Sequence, residues 1–422
     1  MLIHSASQLL TLAGGAQRGS RLGKLGIIED GAVLVRDGLV VETGSTPDLL
    51  QKYPHEERLD ARGRVVMPGF VDPHTHLVWA GDRAAEFEMR LQGRTYMEIM
   101  AAGGGINATV EATRRASQAE LLAQTRERAE EMFRNGTTTA EAKTGYGLEL
   151  QAELRQMQVL LDLDAAGPLE IVPTFLAAHA IPPEYKGRAD EYTRLVCAQM
   201  LPELREWWEV NGRGKPLPFV DVFCENNAFN LAQTRRILET AKGFGFPLKL
   251  HVDEFENLGG AALGLELGAV SIDHIVKTSD AEIRALGDSE TVAVSLPCTP
   301  FGLTEPHYTR AREIIAAEGY LAIASDLNPG TAWCGNMQFV IALACRYLKL
   351  TPAQAVATAT INAAKAISRE VEVGSLEPGK QADLLILSVS DYRHLGYRFG
   401  GTLVETVIKK GFVSPLAKTQ SR

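Results

Sequence analysis

Cysteine is scarce in this sequence: five among 422 residues, an odd number, with no CxxC pair. A disulfide scaffold is excluded, because a chain this long buries enough surface to fold without staples. Reduced thiols and a cytoplasmic location are the expectation. Long apolar runs are missing too, and nothing approaches the ~18 uninterrupted residues of a membrane span. No basic stretch precedes Leu9-Leu10-Thr11-Leu12, so no secretory leader is expected. There is no block of like charge, no low-complexity segment and no repeat larger than a strand–helix unit. The net charge of −9 argues against nucleic acid or an anionic membrane surface as a partner. It leaves room for a small anionic substrate, since one local arginine can hold a carboxylate. With 45% hydrophobic and 23% charged residues the chain has ordinary globular composition, which rules out a disordered protein.

What is present divides into a middle and two ends. Residues 1–64 read as short strands and turns, with β-rich runs Ala32–Val35 and Leu39–Glu42 on either side of the hairpin signal Asp37-Gly38. The far end, 371–422, has the same texture in Asp383–Leu387 and Leu403–Lys409. Neither end has enough strands for a stable sheet, so both are expected to build one small β-sandwich. The middle, 65–370, alternates apolar runs with helical stretches, the pattern of a parallel α/β fold. Eight candidate strands end near His76, Lys143, His179, Glu225, Glu254, Ile275, Pro297 and Asp326, which predicts a (β/α)8 TIM barrel. Ala119 to Asn135 is rich in good helix formers and is followed by Gly136 as a stop. A second helix is predicted from Thr351-Pro352 to about Ile367.

Histidine is also scarce, with nine in the chain. His4, His55, His307 and His394 stand in ordinary contexts. The other five, His74, His76, His179, His251 and His274, each fall at the C-terminal end of a predicted barrel strand, the face where barrel enzymes carry their sites. His74 and His76 are two apart on a strand and so point the same way. Neutral imidazoles sharing a mouth suit zinc or iron. His251 supplies a third imidazole, and Asp326 at the tip of the last strand completes a His/His/His/Asp set. Glu254 lies just beyond His251, where a carboxylate can shuttle protons. Asp253 is turned away by strand alternation. His274 is expected to polarise a carbonyl or orient water, because the four ligands must leave open positions. Arg83, seven residues beyond His76, can take a substrate carboxylate through two parallel hydrogen bonds. Tyr146 stands between two glycines, so its loop can approach a ligand closely.

These residues resemble the amidohydrolase superfamily. The resemblance implies a metal-dependent (β/α)8 barrel with a β-sandwich drawn from both termini. The fourth strand reads ValAspValPheCysGlu (220–225) and lacks the lysine that bridges two metals in dinuclear members, which implies one divalent metal per chain, zinc or iron. Six segments resemble, more narrowly, the branch that hydrolyses the cyclic amide of a propionate-bearing imidazolone in histidine degradation. They are AlaGlyAspArgAlaAlaGluPheGluMetArgLeu (80–91), TyrMetGluIleMetAlaAlaGlyGlyGlyIle (96–106), LysThrGlyTyrGlyLeu (143–148), AlaAlaHisAlaIlePro (177–182), HisValAspGluPhe (251–255) and AspLeuAsnProGlyThr (326–331). This resemblance covers essentially the whole chain. It implies metal on His74, His76, His251 and Asp326, and substrate contacts from Arg83, Tyr96, Tyr146, His179 and Glu254. The loop of Asn328, Gly330 and Thr331 would hold the product's amino-acid end, and a homodimer is implied. Thr144 and Cys298 depart from the branch's usual Ser and Gly. Two rival readings are a cyclic deaminase, which would release ammonia, and an inactive scaffold, which would be expected to have lost a ligand.

Overall fold

The computed structural model describes residues 1–94, 98 and 104–415. Its centre is a sheet of eight parallel strands. They are Phe70–Asp72, Thr137–Lys143, Glu170–Ala178, Phe219–Cys224, Leu248–Val252, Ser271–His274, Val292–Ser295 and Tyr320–Ile323, each paired with the next in chain order. The first and last strands close the ring just beyond their ends. Thr75 bridges Leu327, His76 N–H donates to the Leu327 carbonyl at 2.9 Å, and Asp326 N–H donates to that of His74 at 3.1 Å. All eight expected strands are present, each ending at or a few residues before its expected position. Thr137–Lys143 is buried along its whole length, as a parallel strand covered on both faces must be.

The connecting helices follow local signals. Gln118–Arg134 opens with a reciprocal capping box between Ser117 and Glu120, and ends before Gly136, whose φ is +99°. The predicted helix from Thr351 starts as expected, with Thr351 capping Gln354 and Pro352 in the first turn. It is not continuous, however. It runs Pro352–Thr358, breaks at Ala359-Thr360 and resumes as Ile361–Lys365. The Ala359 carbonyl accepts the Val71 N–H of the first barrel strand at 3.0 Å instead of a helical partner. Pairing with a distant strand overrides propensity here, and no local signal announces it.

The termini form a second, mixed sheet of eight strands. Val65–Pro68 lies at its middle, parallel to Leu2–Leu10 on one side and antiparallel to Leu384–Leu387 on the other. The sheet continues through Ile27–Arg36 and Leu39–Ser45 in one direction and Val404–Lys409 and Phe412–Val413 in the other, while Arg58–Asp60 pairs with Leu2–Leu10. Asp37 and Gly38 both have positive φ, 50° and 77°, the tight hairpin that Asp-Gly predicts. The expected sandwich is thus one sheet curled over its own core, which includes Ile3, Leu9, Val33, Val66, Leu384 and Ile408. Val40 N–H donates to the Lys380 carbonyl at 2.8 Å and draws its far edge back toward the C-terminal strands. Gly69 carries the chain from this sheet into the barrel. A Cβ there would meet Thr138 Oγ1 at 2.2 Å, so only glycine fits the crossing. Among the described residues no helix is long and apolar enough to cross a membrane.

Candidate metal centre and active site

The five strand-end histidines converge at the C-terminal mouth of the barrel. The His74 ring lies 5.3 Å from His76 and 4.4 Å from His251, and His76 stacks on His179 at 4.7 Å. His274 is 5.3 Å from His251. Their ring nitrogens and the Asp326 carboxylate form three overlapping triads, His74/His251/His274, His76/His179/His251 and His74/His76/Asp326, each with its donor atoms within 4.8 Å of one another. Burial, then neighbouring positive groups, push His74, His76 and His274 well below the ordinary imidazole value. Burial lowers His179 to about 3. Neutral rings present lone pairs.

This arrangement fits a cation. His76 Nε2 and His251 Nε2 face each other at 3.3 Å, and both His74 Nε2 and His76 Nε2 are 3.5 Å from Asp326 Oδ1. His74 Nε2 is fully buried with no hydrogen-bond partner. Several buried acceptors aimed at one point are unfavourable by themselves, and a divalent ion reconciles them. Asp326 sits at φ +55° just past the last strand and also accepts a hydrogen bond from Thr299. Burial raises its carboxyl to about 6. Glu254 is pushed well above the usual carboxylate range by burial and then by the charges of Asp326 and Glu225, and its Oε2 is 3.6 Å from His274 Nε2. Asp253 turns away, as alternation predicts, to accept from Thr278 Oγ1 at 2.8 Å.

A cavity of about 150 Å³ opens over these groups, lined by His76, His179, His251, His274, Glu254 and Asp326 together with Arg83, Tyr146, Asn328, Gly330 and Thr331. Every expected site residue among those described therefore lines this cavity or belongs to the histidine–aspartate cluster beside it. Tyr96 lies outside the described residues. Arg83 donates to Glu86 through Nε and Nη2, and its Nη1 lies against Gly330. Asn328 uses its own amide inside its loop, accepting from Gly330 N–H and Thr331 N–H at 2.8 Å each. Its contribution is therefore to shape that loop. Burial, and then the Asp326 charge, raise the Tyr146 phenol, which stays protonated.

The structure adds residues that sequence reasoning missed. Phe223 and Ile106 also line the cavity. His307, set aside above, lines a neighbouring cavity of about 240 Å³ that shares Glu254 and His274. Glu153 is completely buried and accepts from the N–H groups of Gly145, Gly147 and Leu148 at 2.7–2.9 Å, which holds the loop of Tyr146. Glu225 does the same for the loop of Glu254, through Phe255 N–H at 2.9 Å and Glu256 N–H at 3.3 Å. Nothing but their position after strands and early in helices marks these acids in the sequence.

A metal-type barrel mouth and a sheet from both termini together define an amidohydrolase. Residues 57–112 and 227–413 each match an amidohydrolase family model, and residues 31–55 match the bacterial imidazolonepropionase-like composite domain. The chain is 51% identical to imidazolonepropionase of Chloroflexus aggregans over 98% of both chains, and 50% identical to that of Herpetosiphon aurantiacus over 98% of this chain and 96% of the relative. It is 45% identical to the imidazolonepropionase of Geobacillus kaustophilus, over 98% of this chain and 97% of that one. The chain belongs to the imidazolonepropionase family. Among solved structures its fold is similar to 5-methylcytosine deaminase from Klebsiella pneumoniae, at a TM-score of 0.71 and 18% identity over 100% of this chain and 98% of the other. It is also similar to guanine deaminase from E. coli, at a TM-score of 0.69 and 17% identity over 98% of each chain. Identities this low speak to the barrel alone.

Proposed function

We propose that this mouth opens the ring of 4-imidazolone-5-propanoate by hydrolysis of its cyclic amide, giving N-formimidoyl-L-glutamate. The observation that carries the reading is the convergence of His74, His76, His251 and Asp326 beside the Glu254–His274 pair. Those four residues would hold one divalent cation, zinc or ferrous iron, and the cation supplies Lewis acidity that polarises a carbonyl and acidifies water. Asp326 accepts the proton of the attacking water. The water oxygen bonds to the ring carbonyl carbon, and His274, with His179 nearby, stabilises the charge that develops on the carbonyl oxygen. Glu254 gives a proton to the departing ring nitrogen as the C–N bond breaks, and Asp326 passes its proton on to restore Glu254. A base and an acid whose environments hold them apart suit such a pair. Arg83 would hold the propionate, and Tyr146 the ring.

The test is turnover of imidazolonepropionate by purified protein, following ring absorbance and ammonia in parallel, with and without a chelator. Chelator-sensitive loss of the ring without ammonia is the expected result. Ammonia release would return the substrate to the deaminases, and an intact ring with metal-replete protein would sink the assignment.

A further inference from the structure

Beneath the imidazoles lies a buried layer of charge that the mechanism above does not use. Lys143, at the end of the second barrel strand, is completely buried. Its ammonium is 2.7 Å from Glu141 Oε1, 2.9 Å from Asp221 Oδ2 and 3.8 Å from Asp273 Oδ2. Each of these acids reaches a different part of the candidate metal set. Asp273 Oδ2 is 2.6 Å from His74 Nδ1. Asp221 Oδ2 is 3.0 Å from His251 Nδ1 without meeting hydrogen-bond geometry, and Asp221 Oδ1 accepts the His251 backbone N–H at 3.2 Å. Glu141 Oε2 accepts the backbone N–H of Thr75, between the paired histidines, at 3.2 Å. A second buried lysine, Lys249, provides a contrast. It is 3.4 Å from Asp273 and otherwise bonds Ser271 Oγ at 2.6 Å and the carbonyls of Pro73 and Ala366 at 3.3 Å.

An ionised carboxylate only accepts hydrogen bonds, so the ring nitrogen facing it carries the proton and the far nitrogen keeps its lone pair. Buried charges need a partner, and the Lys143 ammonium is the group that lies within 4 Å of all three buried carboxylates. Burial opposes the Lys143 charge, but Asp221, Glu141 and Asp273 outweigh it and hold the ammonium protonated.

We propose that Lys143 is a positioning residue for the metal: its one ammonium holds Asp221 and Asp273, and through them keeps His251 and His74 as Nδ1–H rings whose Nε2 lone pairs meet at one point. This rests on the ligand set proposed above. Lys143 itself is not among the residues that line the cavity. Lys249 reaches only the His74 side and contributes less.

The experiment compares the full-length protein with Lys143→Met and Lys249→Met, which each remove one buried ammonium at similar length. Zinc affinity is read by competition with a chromophoric chelator. Ring-nitrogen NMR of the metal-free, histidine-labelled protein reads the tautomers. Lys143→Met is expected to weaken zinc binding by about 10- to 100-fold, and Lys249→Met by severalfold less. Equal losses in the two variants, or an affinity within twofold of the parent in folded Lys143→Met, would overturn the proposal. If Lys143→Met does not fold, the unsubstituted protein still decides. Nδ1–H on both His74 and His251 supports the inference, and Nε2–H on either removes it. His74→Ala and His251→Ala separate the two levels. Undiminished zinc affinity there defeats the ligand reading itself, whereas lost affinity there with none lost in Lys143→Met defeats only the role of Lys143.

Discussion

The two ends of the barrel handle buried carboxylates in opposite ways. At the mouth, Asp326 is raised to about 6 and Glu254 well above its ordinary value, both chiefly by burial. At the base, Glu170 meets Arg369 at 2.5 Å, Lys409 at 3.2 Å and Gln381 at 3.0 Å, and Lys409 also pairs with Asp383 at 2.7 Å. Burial there is outweighed by Lys409 and Arg369, and the Glu170 carboxyl lies far below the usual range. The base already contains its cations and uses them to tie the third barrel strand to the terminal sheet. The mouth turns imidazole and carboxylate acceptors toward one point, and its loops are fixed by acids that bond backbone N–H groups. One end is set for stability and the other for receiving an ion.

The sharpest way to break this contrast is at the mouth. His251→Ala or Asp326→Ala should lose the metal and lower kcat/KM by about four orders of magnitude or more, measured with metal analysis on the same sample. Normal turnover in a variant shown to be metal-free would end the proposed mechanism. The base should answer differently. Glu170→Gln removes one charge from a largely buried cluster and should lower unfolding stability by roughly 2–3 kcal/mol while leaving kcat unchanged. The pH dependence has a definite sign. A carboxyl whose folded pKa is depressed adds stability that is full above its unfolded value of about 4.3 and fades as the pH falls through the folded value. The difference between parent and Glu170→Gln in denaturant midpoint should therefore be largest near neutrality and shrink in acid. A constant difference across pH would remove Glu170 as its source.

How much of this contrast is legible in the sequence differs between the ends. The mouth shows itself because strand periodicity puts His74, His76, His251 and Asp326 at strand tips, and because histidine is rare enough for five on one rim to stand out. The eight strands are legible for a related reason, since buried parallel strands are short apolar runs bounded by turn residues. The base is not legible. Glu170, Arg369, the pair Gln381 and Asp383, and Lys409 come from four separate places in the chain, so only the closed fold assembles them. The same holds for Asp221 and Asp273, whose strands are visible but whose partners lie on other strands, and for Ala359, where a long-range hydrogen bond interrupts a helix that propensity favours.

Between these extremes stands Arg83, on the substrate side of the mouth. One edge of its guanidinium is occupied by Glu86, which also accepts the Gly105 N–H at 2.7 Å. The pairing holds the planar group in one orientation with Nη1 against Gly330 of the cavity wall. Arg83→Ala should raise KM by about 10- to 100-fold with kcat near the parent's, the pattern of binding energy shared by ground and transition states. An unchanged KM would take Arg83 out of the site.

The smallest effect tests how closely that guanidinium is held. A Cβ at Gly330 would lie 2.3 Å from Arg83 Nη1, and the Gly330 carbonyl accepts from Arg90 Nη2 at 3.0 Å, so neither the loop nor the guanidinium can step aside freely. A long side chain usually yields to one added methyl. Here the Glu86 pairing opposes the swing, and Gly330→Ala should raise KM by roughly three- to tenfold, about 1 kcal/mol, with metal content and kcat unaltered. In an Arg83→Ala background the same methyl meets no guanidinium and should add nothing further. Equal penalties in both backgrounds would mean that the methyl acts through the Asn328–Thr331 loop itself, and the binding role would then pass from the arginine to that loop's backbone.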